Sequence, residues 1–120
     1  MQKFHNFLVL LLPLLLLPLI ISDVVEGSLA GRWEPIKDIS DPHVTEIAEF
    51  AVDEYNKRVN TGLKLVVVVS GESQVVSGMN YRLILTATDG TATKAYKAIV
   101  WENALLKKEL TSFEPLRLLS

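Results

Sequence analysis

The sequence predicts an α+β domain in which one long α-helix packs across a four- to five-stranded antiparallel sheet. Two observations support this class. A single amphipathic helix pattern lies near residues 41–55, and β-branched or alternating segments fill most of the chain after it. Because one helix precedes strands that are joined by short connections, a two-layer arrangement of helix on sheet is expected.

The helix pattern has a defined start and one apolar face. Asp41 is a suitable N-cap, and Pro42 is tolerated at the first helical position. Apolar side chains then recur along one face of a 3.6-residue helix, at Val44, Ile47, Ala48, Ala51, Val52 and Tyr55. Gly62 is the expected stop. The helix therefore has a single face to bury.

Five segments have the composition of strands, and they cover residues 33–39, 63–69, 81–88, 93–101 and 110–116. Residues 63–69 are apolar and β-branched apart from Lys64, so both faces are expected to be covered near the middle. The third segment alternates, with Leu83 and Leu85 on one face. The pair Asp89-Gly90 predicts a tight turn into the next strand.

The first 27 residues have the pattern of a secretory signal peptide. Lys3 provides a basic start, and an apolar run over residues 7–21 follows it. The run is shorter than the roughly 20 residues of a spanning helix and contains two prolines, so a membrane anchor is the less favoured alternative. Cleavage is expected after Gly27, with Ser22 as an earlier alternative, and secretion is the predicted fate.

The remaining domain, residues 28–120, excludes several functional classes by its composition. The chain has 12 basic and 14 acidic residues, so no basic surface for nucleic acid or for a membrane is indicated. It contains no cysteine, which removes thiol catalysis and thiolate metal sites. His43 is the only histidine of the domain and is expected to be a solvated residue at the helix start. No catalytic residue, metal or cofactor is predicted.

Residues 71–78, between the second and third strands, have an unusual composition for a turn. Val75 and Val76 are adjacent β-branched residues between Gln74 and Gly78, where Gly, Asn and Pro normally dominate. An apolar pair at a hairpin tip gains burial only when another surface covers it. The alternative is that the strands continue through both valines into the core. Spacing alone leaves these two interpretations open.

Three sequence motifs resemble those of the cystatin family. The run Gln74-Val75-Val76-Ser77-Gly78 resembles its Gln-x-Val-x-Gly segment, and residues 47–56 resemble the helix signature of the plant branch. Ala30-Gly31, followed by Trp33 and Pro35, is similar to the glycine-bearing N-terminal segment. The resemblance covers almost all of residues 28–120, and the absence of cysteine suits the plant branch.

The resemblance implies a reversible, competitive inhibitor of papain-like cysteine proteases, such as papain and cathepsin L-like enzymes, and not an enzyme. Three segments would occlude the protease cleft, and their residues are Gly31, then Gln74, Val75, Val76, Ser77 and Gly78, then Ala104 and Leu105. A monomer is expected, with a domain-swapped dimer through the Gln74–Gly78 hinge as the alternative. Plant defence and control of the plant's own proteases both fit the family.

One position departs from the family pattern. Ala104-Leu105 stands where the family usually carries Pro-Trp, and Trp101 matches a different, strand-end tryptophan. Truncating a buried hot-spot tryptophan costs about 2 kcal/mol or more. A looser second hairpin and reduced affinity or altered selectivity are therefore expected. The alternative function is a non-inhibitory protein-binding module whose second hairpin has degenerated.

Overall fold

The computed structural model describes residues 31–117. The predicted signal peptide over residues 1–27 lies outside the described residues, so its cleavage stays a prediction. The chain divides between Arg32 and Trp33, and the described helix and strands all belong to the part that begins at Trp33. In chain order the elements are β1 (Trp33–Pro35), α1 (Pro42–Val59), β2 (Lys64–Val76), β3 (Gly78–Thr88), β4 (Thr93–Glu102) and β5 (Lys108–Pro115).

The strands form one antiparallel sheet in which each strand pairs with its neighbour in sequence. The order is β1-β2-β3-β4-β5, and α1 contacts β2, β3, β4 and β5. This arrangement confirms the predicted α+β class, with five strands under one helix. Because the sheet is a meander, the β2–β3 and β4–β5 hairpins lie at the same end of it.

The helix begins as the sequence predicts. The Asp41 carboxylate accepts a hydrogen bond of 2.8 Å from the His43 amide, and Pro42 occupies the first turn. The buried face of the helix consists of Val44, Ile47, Ala48, Ala51 and Val52. These side chains pack on Leu83, Leu85, Ala98 and Val100 of the sheet in one core. The predicted apolar face is confirmed.

The end of the helix differs from the prediction. The helix stops at Val59, and Asn60 takes the left-handed cap conformation with φ 56° and ψ 55°, so the stop expected at Gly62 is wrong. The Asn56 side chain then fixes the following turn. It donates 2.8 Å to the carbonyl of Leu63 and accepts 2.9 Å from the Leu63 amide. The left-handed conformation of Asn60 is one that asparagine tolerates, because its short polar side chain can form local hydrogen bonds.

The first half of β2 is more exposed than its composition predicts. Val66, Val67 and Val69 are 53%, 53% and 55% exposed, whereas Val68 is buried. The register with β3 shifts between Leu65 and Val67 and again after Val68. Each shift adds an unpaired residue and breaks the alternation of faces. The prediction that both faces are covered near the middle of this segment is therefore wrong.

The hairpin between β3 and β4 has the geometry that its sequence predicts. Leu83 and Leu85 are fully buried on the helix side of β3. Gly90 has φ 98° in the turn before β4, and the Asp89 carboxylate accepts bonds from the Thr91 and Ala92 amides. Within the described residues no helix is both long and apolar enough to cross a membrane.

Candidate protein-binding edge

The first hairpin, between β2 and β3, is tighter than the sequence predicts. Val76 pairs with Gly78, so Ser77 alone separates the strands, and Gln74, Val75 and Val76 are strand residues. The strands do continue through the valines, but not into the core. Val75 is 51% exposed and Val76 is 39% exposed. The hairpin therefore presents two adjacent apolar side chains to solvent.

Gly78 permits a close approach between this hairpin and the end of β4. Its φ of 102° is disfavoured for other residues. A Cβ at this position would overlap the carbonyl oxygen of Glu102 and lie 3.1 Å from the Cα of Asn103. The backbone conformation and the contact therefore both require glycine at position 78.

Polar contacts join β2 to β3 at the base of the first hairpin, and a cation–π contact connects them to Trp33 of β1. The Asn80 amide donates 2.9 Å to Gln74 Oε1, and Trp33 stands opposite Gln74 in the register. The Arg82 guanidinium lies 4.1 Å above the Trp33 ring and binds the Glu72 carboxylate at 2.6 and 2.9 Å. The ion pair with Glu72 thus holds the guanidinium that makes the cation–π contact with the indole ring.

Gly31, the third predicted segment, belongs to the part of the chain that ends at Arg32. Its φ is 85°, a conformation that favours glycine, and an added Cβ would meet no atom within 4 Å. The other two predicted segments, the hairpins, lie at the same end of the sheet. The placement of Gly31 beside them stays a prediction.

The second hairpin, residues 103–107 between β4 and β5, is organised by Asn103. The Asn103 amide donates to the Lys107 carbonyl, and the Leu106 amide donates to the Asn103 carbonyl, both at 2.9 Å. The Asn103 Oδ1 accepts from the Leu105 and Lys107 amides at 2.8 and 3.0 Å. These four bonds order the hairpin backbone, and the looser hairpin expected from the loss of the family Pro-Trp pair stays a prediction. Ala104 is exposed at its tip, Leu105 is 76% exposed and Leu106 is 63% exposed.

Trp101, near the end of β4, joins the first hairpin to the strand that leads into the second. Its indole Nε1 donates a hydrogen bond of 2.8 Å to the carbonyl oxygen of Ser77. The exposed apolar side chains Val75, Val76, Leu105 and Leu106 thus occupy the same end of the sheet, which we call the hairpin edge. Exposed apolar groups gathered at one edge are typical of a protein-binding site. Among residues 31–117, no group of three or more side chains is arranged to hold a metal ion.

An ionic cluster lies at the base of the hairpin edge, and the sequence did not indicate it. His43 Nε2 is 2.8 Å from Glu102 Oε1, and His43 Nδ1 is 2.9 Å from Glu46 Oε1. Lys108 Nζ is 3.4 Å from Glu102 Oε2. The Glu102 side chain is 4% exposed, whereas His43 is 36% exposed, so His43 is partly solvated at the helix start as expected and is in addition paired with a buried carboxylate. The two partners are 59 residues apart, and nothing in their spacing pairs them.

The electrostatics of the cluster favour a charged histidine. The hydrogen bond that His43 donates to Glu102 raises the pKa of His43 above its usual value of 6.5, and the nearby Glu46 acts in the same direction, while burial opposes both. Burial also raises the pKa of Tyr81, whose ring meets the His43 ring edge-on at 6.0 Å.

The helix over a five-stranded meander, with two joined hairpins at one end, defines a cystatin-like fold. A family model described as "SQAPI: Aspartic acid proteinase inhibitor" matches residues 36–116. "Cysteine proteinase inhibitor 5" of Arabidopsis thaliana is 54% identical over 116 residues, which cover 95% of this chain and 93% of that protein. The chain belongs to the plant cystatin family. Its relatives are named as proteinase inhibitors and not as enzymes, which confirms that the chain is not an enzyme.

Two solved structures share the fold. The salivary cystatin of the soft tick Ornithodoros moubata superimposes with a TM-score of 0.64 at 21% identity, over 72% of this chain and 98% of that one. The squash aspartic acid proteinase inhibitor superimposes with a TM-score of 0.57 at 31% identity, over 72% of this chain and 94% of that one. The first likeness confirms the cystatin-like fold that the motifs imply.

Proposed function

We propose that this protein is a reversible, competitive inhibitor of papain-like cysteine proteases that occludes the active-site cleft. The observation that carries the proposal is the exposed apolar hairpin edge. Val75 and Val76 would bury against one side of the cleft, and Leu105 and Leu106 against the other. Protease–inhibitor interfaces bury roughly 1,600 Å² in total and are often very tight. Gly31 would add a third contact, since its lack of a side chain allows close backbone approach.

Occlusion without cleavage follows from the construction of this edge. The tip of the first hairpin is one residue, Ser77, held between paired strands and bonded to Trp101. A backbone fixed in this way cannot be drawn into a cleft in the extended form of a substrate. Inhibition would therefore be reversible, and the inhibitor would leave intact.

The test is a titration of papain with the purified chain from Ser28 to Ser120, following hydrolysis of a small fluorogenic peptide. Tight competitive inhibition is expected, and a Val75→Asp/Val76→Asp variant should lose it because two carboxylates would be buried unpaired. Glu49→Gln, on the exposed side of α1, is the matched control. A folded chain that leaves papain and a cathepsin L-like enzyme fully active would refute the proposal and favour the non-inhibitory binding module.

Inhibition of aspartic proteinases is a second candidate function. The match to the family model over residues 36–116 and the 31% identity to the squash inhibitor favour it. The same titration with pepsin tests it. If the Val75→Asp/Val76→Asp variant still inhibits pepsin, a surface other than the hairpin edge inhibits aspartic proteinases. If the variant inhibits neither papain nor pepsin, the hairpin edge carries both activities.

We further propose that residues 1–27 direct the chain into the secretory pathway and that it acts as a monomer. Expression of the full chain with a carboxy-terminal tag in plant cells tests the first point. A secreted product that begins at Ser28 is expected, and an intracellular product that retains Met1 would contradict it. Size-exclusion chromatography of the secreted product tests the second, with a domain-swapped dimer as the contrary result.

A further inference from the structure

The contacts of His43 require a doubly protonated ring. Each ring nitrogen lies within 2.9 Å of a carboxylate oxygen, Glu102 Oε1 on Nε2 and Glu46 Oε1 on Nδ1. Ionised carboxylates only accept hydrogen bonds, and a neutral imidazole donates from one nitrogen alone. Both contacts form together only when the ring is an imidazolium. Geometry therefore indicates a charged His43 between two anions.

Glu102 connects this imidazolium to both hairpins. It is the last residue of β4, and its carbonyl oxygen is the atom that an added Cβ on Gly78 would overlap. Its second carboxylate oxygen has Lys108 Nζ at 3.4 Å, and that ammonium also donates 3.3 Å to the carbonyl of Leu106. A chain of contacts thus runs from the start of α1 through Glu102 to each half of the hairpin edge.

The second oxygen of Glu102 depends on charge and not on a hydrogen bond. Glu102 Oε2 is buried without a hydrogen-bond partner, so the Lys108 ammonium acts on it only through its charge. If His43 loses its proton, the carboxylate keeps at most one hydrogen bond from a neutral ring. A buried carboxylate with weakened partners favours rearrangement toward water. Such a rearrangement would move the end of β4.

We propose that His43 and Glu102 are positioning residues for inhibition, and that their ion pair orders the hairpin edge more firmly at acidic than at alkaline pH. This proposal rests on the proposed inhibition of papain-like proteases. The hydrogen bond that His43 donates to Glu102 raises the pKa of His43, so the folded state holds this proton more tightly than the unfolded chain does. The stabilisation is complete below the unfolded value of 6.5 and is lost as the pH rises through the higher folded value.

The groups that surround His43 come from every element packed against it. They are Lys37, Asp38 and Asp41 before and at the start of α1, Glu46 on α1, Tyr81 on β3, Glu102 on β4 and Lys108 on β5. The histidine is the one among them with an ordinary pKa between about 5 and 8. A pH effect over that range is therefore assigned to it.

The test compares papain inhibition by the wild-type chain and by His43→Gln between about pH 5 and pH 9. Glutamine keeps a neutral donor but cannot become charged. The inhibition constant of the variant, divided by that of the wild type at the same pH, removes the pH dependence of papain itself. The ratio is expected to be about 5 at acidic pH and to approach 1 at alkaline pH. Glu49→Gln, the exposed control, should give a ratio near 1 throughout.

A second measurement does not require the protease. Hydrogen exchange of the Leu106 and Lys107 amides, corrected for the intrinsic effect of pH, should accelerate as His43 deprotonates in the wild type and not in His43→Gln. The proposal would be overturned if the ratio of the two inhibition constants did not change with pH. It would also be overturned if the Leu106 and Lys107 amides exchanged with the same pH dependence in His43→Gln and in the wild type. A wild-type chain that never inhibits papain would refute the proposed function alone, since the exchange experiment still decides whether the ion pair orders the hairpin.

Discussion

The indole nitrogen of Trp101 donates a 2.8 Å hydrogen bond to the carbonyl oxygen of Ser77, across 24 residues of sequence. Ser77 is the single residue outside the strands of the first hairpin, so this bond fixes the tip from the neighbouring strand. Val75 and Val76 are held exposed by their strand pairing, and Trp101 holds the turn beside them. The strand-end tryptophan thus stabilises the binding surface although it stands outside the predicted contact residues.

Removing this bond should weaken inhibition more than it weakens the fold. Trp101→Phe keeps an aromatic ring but has no donor for Ser77. A hydrogen bond contributes about 0.5–1.5 kcal/mol net, which corresponds to a rise of roughly 2- to 10-fold in the inhibition constant for papain. Tyr96→Phe, in the same strand and away from the hairpins, is the control and should leave the constant unchanged. Equal constants for Trp101→Phe and the wild type would show that the bond does not order the tip.

Gly78 and Gly90 have similar backbone conformations, so substituting each by alanine distinguishes the effect of backbone strain from that of a steric contact. Gly78 has φ 102° and Gly90 has φ 98°, but an added Cβ meets Glu102 and Asn103 only at position 78. Alanine in this region costs about 1–2 kcal/mol of stability at either site. Gly78→Ala should in addition raise the inhibition constant at least about 10-fold, since the hairpins must separate.

Thermal unfolding and papain inhibition of the two variants provide the measurement. Gly90→Ala, at the opposite end of the sheet, should lose stability and keep the inhibition constant. If both variants inhibit equally well, the contact between Gly78 and the end of β4 has no part in binding.

The sequence predicted the helix face well because side-chain periodicity reports burial directly. Val44, Ile47 and Ala48 are buried as their spacing requires. The sequence did not predict the exposure of β2, because composition does not reveal a β-bulge. The run of valines over residues 66–69 reads as a strand covered on both faces, whereas two register shifts expose most of it.

The candidate site was predictable only where it is local in sequence. The segment Gln74–Gly78 carries a recognisable motif, and the structure adds that its valines are strand residues. The pair of His43 and Glu102 is brought together by the packing of α1 on the ends of the strands, and 59 residues separate the partners. A histidine and a glutamate so far apart in sequence form no recognisable motif, so only the fold reveals that they pair.

Asp89 should titrate at unusually low pH. Its carboxylate accepts bonds from the Ala92 amide and from the amide and hydroxyl of Thr91, and these bonds lower its pKa to about 2. Because the folded pKa is depressed, the stabilisation is present above the ordinary value of 3.8 and is lost as the pH falls through about 2. The difference in Tm between wild type and Asp89→Ala should therefore narrow over that interval. A difference that stays constant would contradict the assignment, and NMR titration of the carboxyl carbon measures the pKa itself.

The second hairpin offers a variant that should gain affinity. The bond from the Leu106 amide to the Asn103 carbonyl closes a four-residue turn, which places Ala104 at its second position and Leu105 at its third. Proline is favoured at the second position, and among the hydrogen bonds of the described residues none uses the Ala104 amide as donor. The turn is therefore ready to accept the Pro-Trp pair typical of the family.

The double variant Ala104→Pro/Leu105→Trp should lower the inhibition constant for papain-like enzymes at least about 10-fold, because a tryptophan at the centre of an interface commonly contributes about 2 kcal/mol. The two single variants separate the causes. Ala104→Pro alone should act by stiffening the turn and should raise Tm, whereas Leu105→Trp alone should supply most of the gain in binding without a rise in Tm. Titration of papain and of a cathepsin L-like enzyme with all three variants is the measurement. If none of them binds any papain-like enzyme more tightly than the wild type does, residues 104 and 105 lie outside the contact with the protease.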